Sequence, residues 1–258
     1  MRRFIRGFAI TVVVSAMVSF ITSPALADEL IDDPAYIDGA TIHALSEFNP
    51  GTTDDELREF LVAAAERHGV TPAEFAASSL VEAQASAEAS IPLEIPRSVM
   101  GRAVVVTAAA TSVKLGTAAR KGDVFTAPAT TLGIAHGHSG IYYTTATVIE
   151  APGLGRVVKK TAASSITVGA GAHKLYVITT QSKRDAAADW AATKLGLNYN
   201  PFFADNKNIE DDIYNCSQIV WAAYMKKAAI DLDDNGGSAV YPVDIRDSSM
   251  TTSYKTFT

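Results

Sequence analysis

The chain has 258 residues, with 22 Lys and Arg against 28 Asp and Glu, and a single cysteine. The net charge of −6 excludes a general nucleic-acid binder, which needs a basic surface. One cysteine excludes an internal disulfide, so the fold must be held by packing.

The first elements concern export. Arg2, Arg3 and Arg6 form a basic head, an apolar run follows from Phe8 to Ile21, and "SPALADE" places Ala25 and Ala27 as a small-x-small cleavage site. Residues 1–27 are therefore expected to be a signal peptide. The apolar run is short for a membrane span. A secreted or cell-envelope monomer without stable membrane insertion is expected, and its mature charge is about −9.

Residues 28–95 read as a helical N-terminal extension. Thr53 is an N-cap followed by acids in the first turn, Leu57, Phe60, Leu61 and Ala64 share a face, and Gly69 is the stop. Thr71 caps a second helix with Pro72 at its first position. That helix has few large apolar residues and must pack on something else. A pro-segment covering a site and a partner-binding appendage both fit this extension.

"SIPLEIPRSV" reads as an extended connector. Residues 96–258 then change to short β-branched or aromatic runs: "RAVVVTAAA", "GDVFTAP", "HSGIYYTT", "ATVIEAPG", "GRVVKKTA" and "HKLYVITT". "SKRDAAADWAATKLG" follows as a helix, with Ser182 as cap, Asp185 closing a capping box, Trp190 and Leu195 as its apolar anchors and Gly196 as the stop. Strands followed by helices predict an α+β class.

The lone cysteine opens the next helix, "NCSQIVWAAYMKK". Asn215 is an N-cap and Gln218 stands three residues on, so Cys216 falls at the first helical position. Free backbone N–H groups and the helix dipole favour a thiolate there. Ile219, Val220, Ala223 and Tyr224 form the expected buried stripe. Three fates stay open on these residues: an inert buried thiol, an intermolecular bridge, or a nucleophile. The last needs an imidazole. "GIAHGHSGIYY" supplies His136 and His138, which alternation in one strand would put on one face. They could also be half of a zinc site, but no further His or Cys ligand stands nearby, so no metal and no cofactor are expected. "HSGIYYTTATVIEAPG" reads as a hairpin that sets Glu150 on the strand beside His138. "DLDDNGG" resembles half of a calcium loop, but Pro242 occupies the place of its last ligand, so it reads as an Asx/Gly turn.

"KGDVFTAP", "GHSGIYY" and "VIEAPG", with "KLGLNYN" and "YNCSQIVW" after them, resemble the NlpC-type papain-like peptidases over about Gly122 to Tyr224. The histidine segment precedes the cysteine segment, the order of the circularly permuted, YiiX-like branch. The resemblance implies an antiparallel sheet packed against helices. It implies Cys216 as nucleophile, His138 as base and Glu150 as its orienter. Tyr199 falls where the family places a site-lining tyrosine, and His136 is expected to contact substrate. The implied reaction is cleavage of an amide through a thioester, with a peptidoglycan peptide as the expected partner. A lipid ester hydrolase or acyltransferase, and a non-catalytic interaction protein on a decayed site, are the alternatives. Gln218 stands where the family often has Gly or Glu.

Overall fold

The computed structural model describes residues 36–91, 112–131 and 133–258. The expected signal peptide, most of the connector and the "RAVVVTAAA" strand lie outside them. Within them the chain is α+β, with three helices followed by an antiparallel sheet and three more helices.

The helical unit comprises α1 (Gly39–Phe48), α2 (Asp54–His68) and α3 (Pro72–Ala89). Thr53 with Glu56, and Thr71 with Glu74, form reciprocal capping boxes that satisfy the first free N–H groups. Gly69 closes α2 at φ +68, a left-handed value that glycine adopts without strain. Ile42, Leu45, Leu57, Leu61 and Phe75 meet in one buried cluster. Ala204 and Phe202, from far along the chain, complete it. The helical unit therefore shares its core with the rest of the molecule.

The strands are β1 (Val113–Lys114), β2 (Val124–Ala127), β3 (Thr130–Thr131), β4 (Ile134–Ala135), β5 (His138–Thr144), β6 (Thr147–Glu150), β7 (Lys159–Ala162), β8 (Thr167–Val168), β9 (His173–Val177) and β10 (Thr251–Thr256). Six form the main sheet in the order β10-β9-β2-β5-β6-β7, each pair antiparallel. Alternation divides its residues between two buried faces. Val124, Ile141, Ile149 and Leu175 pack with the helices after the sheet. Phe125, Tyr142 and Val148 pack on the opposite face with Leu115 and Phe257. Gly140 has no room for a side chain, since a Cβ there would stand 2.7 Å from Phe125 and 2.8 Å from Val148. That close approach is why "HSGIYY" carries a glycine in a central strand.

Helices α4 (Gln181–Ala192), α5 (Cys216–Ala228) and α6 (Pro242–Asp247) follow. Two local expectations are corrected. The N-cap of α4 is Thr180, whose side chain accepts from Lys183 N, and not Ser182. Asp185 instead accepts from Gln181 Nε2 at 2.7 Å. Strand β9 ends early enough for Thr180 to take the extended cap conformation, which draws Ser182 into the helix. Leu195 lies beyond the end of α4 and is exposed, so Trp190 anchors that helix. In α5 the stripe widens to the whole circumference, for every residue from Cys216 to Tyr224 is buried. A stretch buried on every side belongs in a core, and its polar members Ser217 and Gln218 are hydrogen-bonded there. Burying Ile219, Val220 and Tyr224 is worth about 1.5–3 kcal/mol each. The start of α5 is thereby fixed against the sheet.

Candidate active site

Cys216 is the first residue of α5 and its side chain is only 2% exposed. Asn215 sits before it in extended conformation, and its Oδ1 accepts from Gln218 N at 2.9 Å. Gln218 Oε1 returns the bond to Asn215 N at 3.2 Å and accepts from Asn200 Nδ2 at 2.9 Å. Gln218 Nε2 donates to Asp211 Oδ2 at 3.0 Å. Gln218 therefore ties the helix start to the preceding loop, a task neither Gly nor Glu could perform with these partners. The next hydroxyl, Ser217 Oγ, donates to Val240 O at 2.7 Å.

His138 opens β5, and its Nε2 lies 2.8 Å from Glu150 Oε2 at the end of β6. That leaves Nδ1 as the ring nitrogen open to another partner, and Cys216 is near enough to His138 for each to shift the other's pKa. Glu150 is held in turn: its Oε1 accepts from Thr161 Oγ1 at 2.5 Å, and Lys159 Nζ stands 3.8 Å away. Phe125 meets the imidazole edge-on at 5.5 Å between centroids.

The electrostatics follow from these contacts. Burial disfavours a charged imidazole, but hydrogen bonds and charge from Cys216 and Glu150 outweigh it and push the His138 pKa up to about 10. Burial likewise disfavours a thiolate. His138, with the backbone N–H groups of Ser139 and Ser217, outweighs that and lowers the Cys216 pKa. Glu150 is lowered too, against its burial, by His138, Thr161 and Lys159. Both shifts favour a thiolate–imidazolium pair over a neutral one, with a carboxylate behind the ring.

The structure thus brings together Cys216, His138 and Glu150. His136 departs from its expected place. It lies in the link between β4 and β5, because Gly137 at φ +70 breaks the extended run, so the two histidines do not alternate along one strand. Its Nδ1 donates to Gly137 O at 2.6 Å. Burial, with the charge of His138, holds its pKa below the usual range, so His136 is neutral. Tyr199 is close enough to feel the charge on Cys216. Burial and that charge raise its pKa, so the phenol keeps its proton. Sequence reasoning missed Thr161, Asn200 and the Ser139 N–H. Thr161 had a weak signal, since "KKTA" follows the Glu150 strand.

The "DLDDNGG" segment forms successive Asx turns. Asp231 Oδ1 accepts from Asp233 N, Asp233 Oδ1 from Asn235 N, and Asn235 Oδ1 from Gly237 N. Lys207 Nζ lies 2.6 Å from Asp233 Oδ2. Among the described residues no group of three or more His, Cys, Asp or Glu is placed to hold a metal ion, and no helix is long and apolar enough to cross a membrane.

No family model matches the chain. Over 145 residues it is 39% identical to the uncharacterized protein YycO of Bacillus subtilis (strain 168), which covers 55% of this chain and 58% of that protein. The chain thus spans little more than half the length of this relative. Among solved structures it is similar to the crystal structure of metalloprotein YiiX from Escherichia coli O157:H7. That match has a TM-score of 0.40 and 17% identity, covering 53% of this chain and 97% of the other. It is too loose a similarity to transfer any property.

Proposed function

We propose that the protein is a cysteine hydrolase of the permuted papain-like kind, with Cys216 as nucleophile, His138 as general acid and base, and Glu150 as the group that orients and charges the imidazole. The observation that carries this reading is His138 standing between Glu150, at 2.8 Å, and a cysteine at a helix N-terminus. The thiolate attacks an amide carbonyl. The oxyanion is received by the backbone N–H of Cys216, a donor type whose loss costs about 10²–10³ in rate elsewhere. His138 gives its proton to the leaving amine, and a thioester remains. Water, deprotonated by His138, attacks the thioester, and the thiolate leaves, releasing the acid and restoring the thiolate–imidazolium pair. Tyr199 and His136 flank the pair and contact substrate in this reading.

Residues 1–27 carry an export pattern, so the amide is proposed to be in a peptide of the cell wall and the protein to work in the envelope or outside the cell. The test is the rate of iodoacetamide alkylation against pH, in wild type and in His138→Ala. The proposal expects fast alkylation well below pH 8 that the variant loses. An ordinary thiol profile in both would sink it and favour a decayed site. If the thiol is activated, wall-peptide and lipid-ester substrates distinguish the amidase from its lipid-directed alternative.

A further inference from the structure

We propose that the side-chain amide of Asn215 is a second oxyanion donor, its Nδ2 acting with the backbone N–H of Cys216 on the carbonyl oxygen of the group that Cys216 attacks. This rests on the reading of Cys216 and His138 given above and adds a catalytic residue to it.

Most polar groups around the pair are committed to one another. Glu150 uses both oxygens, on His138 and Thr161. Gln218 uses its amide oxygen on Asn215 N and Asn200, and its nitrogen on Asp211. Two groups differ. Asn215 Nδ2 and Ser139 Oγ are buried without a hydrogen-bond partner. They belong to the residue before Cys216 and the residue after His138, and both residues are fully buried. Among the described residues, Asn215 Nδ2 is the only buried side-chain nitrogen in that state. An amide nitrogen has two hydrogens to place, and leaving them unpaired in a core is unfavourable. Serine or threonine would cap α5 without burying them. An amide retained there against that cost calls for a partner that arrives with the substrate.

The amide cannot be turned round. Its Oδ1 accepts from Gln218 N at 2.9 Å, and that N–H is a donor only, so the oxygen must face the first turn of α5. The nitrogen then lies on the outer side, away from the free N–H groups of the helix. The thiol leans to that same end, because each Cα–Cβ bond in a helix tilts toward its N-terminus. Ser139 approaches from the sheet. It shares a face of β5 with Ile141, which packs in one cluster with Ile219 and Val220 of α5. The way in runs along the imidazole, since the His138 side chain keeps 22% of its surface exposed whereas Cys216 is buried. A carbonyl entering there presents its carbon to Sγ. As the S–C bond forms, the carbonyl electron pair moves to oxygen, and Cys216 N–H and Asn215 Nδ2–H donate to it. Collapse restores the C=O bond and expels the leaving group, which takes the proton of His138. The donation is strongest where the charge on oxygen is largest, so it speeds the step rather than tightening substrate binding.

The test uses the full chain and two reagents for Cys216. Iodoacetamide loses iodide at a saturated carbon and forms no oxyanion. S-ethyl thioacetate is attacked at its carbonyl, passes through a tetrahedral oxyanion and releases ethanethiol. Each variant's acylation rate is divided by its own alkylation rate, which removes changes in the amount and exposure of the thiolate. Asn215→Gly still caps the helix and offers no side-chain donor, and its ratio should fall about a hundredfold, the loss expected for one oxyanion donor. Asn215→Ser has only a shorter hydroxyl. It decides the matter should the glycine variant fail to fold, with a fall of at least about tenfold. Gln218→Ala loosens the same cap but leaves Nδ2 in place, and its ratio should stay within about threefold of wild type. A role in the cap alone would lower both rates together in every variant. A ratio that the Asn215 variant does not move, or that Gln218→Ala moves as far, overturns this inference alone. So does a wild-type thiol that iodoacetamide alkylates and the thioester does not acylate. A Cys216 whose alkylation does not depend on His138 overturns the reading of the site and this inference with it.

Discussion

Glu150 meets His138 with one carboxylate oxygen, at 2.8 Å, and Thr161 with the other, at 2.5 Å. The carboxylate is thus held on the side away from the imidazole as firmly as on the side toward it. Replacing it with glutamine keeps the shape but removes the charge that supports the imidazolium. Glu150→Gln is expected to slow iodoacetamide alkylation at pH 6 by about ten- to a hundredfold, the equivalent of one or two pKa units of lost support. Thr161→Val removes only a neutral donor and should cost about two- to tenfold. Equal rates in wild type and Glu150→Gln would exclude an electrostatic role for Glu150.

The Cys216–His138 pair also fixes a pH dependence of stability. The folded-state pKa of His138 is about 10, whereas an unfolded histidine titrates near 6.5. Its contribution is complete below pH ~6.5 and is lost as pH rises through 10. Cys216 has a lowered folded pKa, against about 8.5 when unfolded. Its contribution is present above pH ~8.5 and is lost as pH falls through the folded value. Below about pH 8.5, and down to where the folded Cys216 or the unfolded histidine takes up its proton, the two slopes cancel, because forming the ion pair moves a proton from thiol to ring and takes up none. The stability difference between wild type and the Cys216→Ala/His138→Ala double variant should be flat there and fall on both sides. Urea unfolding across pH 5 to 10 measures it, and a steady slope through neutrality would refute the ion pair.

Asn215 separates the cap from the charge. Asn215→Ala removes the acceptor for Gln218 N and should cost about 1–2 kcal/mol of stability. Asn215→Asp keeps an acceptor but puts a negative group beside the thiolate. It should retain more stability than Asn215→Ala yet shift the alkylation profile to higher pH. Denaturant unfolding and the alkylation profile, taken on both variants, check the two halves separately. An Asp variant as reactive as wild type at pH 6 would show that no thiolate is held at this helix start.

The elements legible in the sequence were those decided within a few residues. The caps read at Thr53, Thr71 and Asn215 all form, and so does the Asn215–Gln218 box; at Thr53 and Thr71 the structure adds Glu56 and Glu74 as box partners that were not read. The hairpin that sets Glu150 beside His138 was legible because its short turn fixes the register. Where several local solutions compete, distant contacts decide. "ITTQS" offers more than one cap, and Thr180 wins because β9 ends at Val177 against β10. Strand β10 itself was not read, being polar and almost wholly exposed along an edge. His136 left its strand through the left-handed Gly137. The contact between Asn49 and Phe203 joins residues 154 positions apart, and no local pattern announces it.

A second pH dependence belongs to a carboxyl away from the pair. Asp244 accepts from Tyr241 N at 2.7 Å and from Asn235 Nδ2 at 2.9 Å. Burial is the main cause that raises its pKa, and the neighbouring Asp233, Glu82 and Asp234 raise it further, overcoming the Tyr241 bond and bringing it to about 7. Lys207 is committed to Asp233 and does not relieve Asp244. A carboxyl raised in the folded state favours folding most when protonated. Its contribution is full below the unfolded value near 3.9 and is lost as pH rises through about 7, a change on the order of a few kcal/mol. Asp244→Asn fixes the side chain neutral and gives up one acceptor, at a pH-independent cost of about 1 kcal/mol. The variant should be less stable than wild type at pH 4, then gain on it steadily up to pH 7 and keep a constant advantage above that. Unfolding midpoints at pH 4, 5.5, 7 and 8.5 give the comparison. Parallel curves would mean that Asp244 is ionised throughout, with Tyr241 N and Asn235 outweighing its burial.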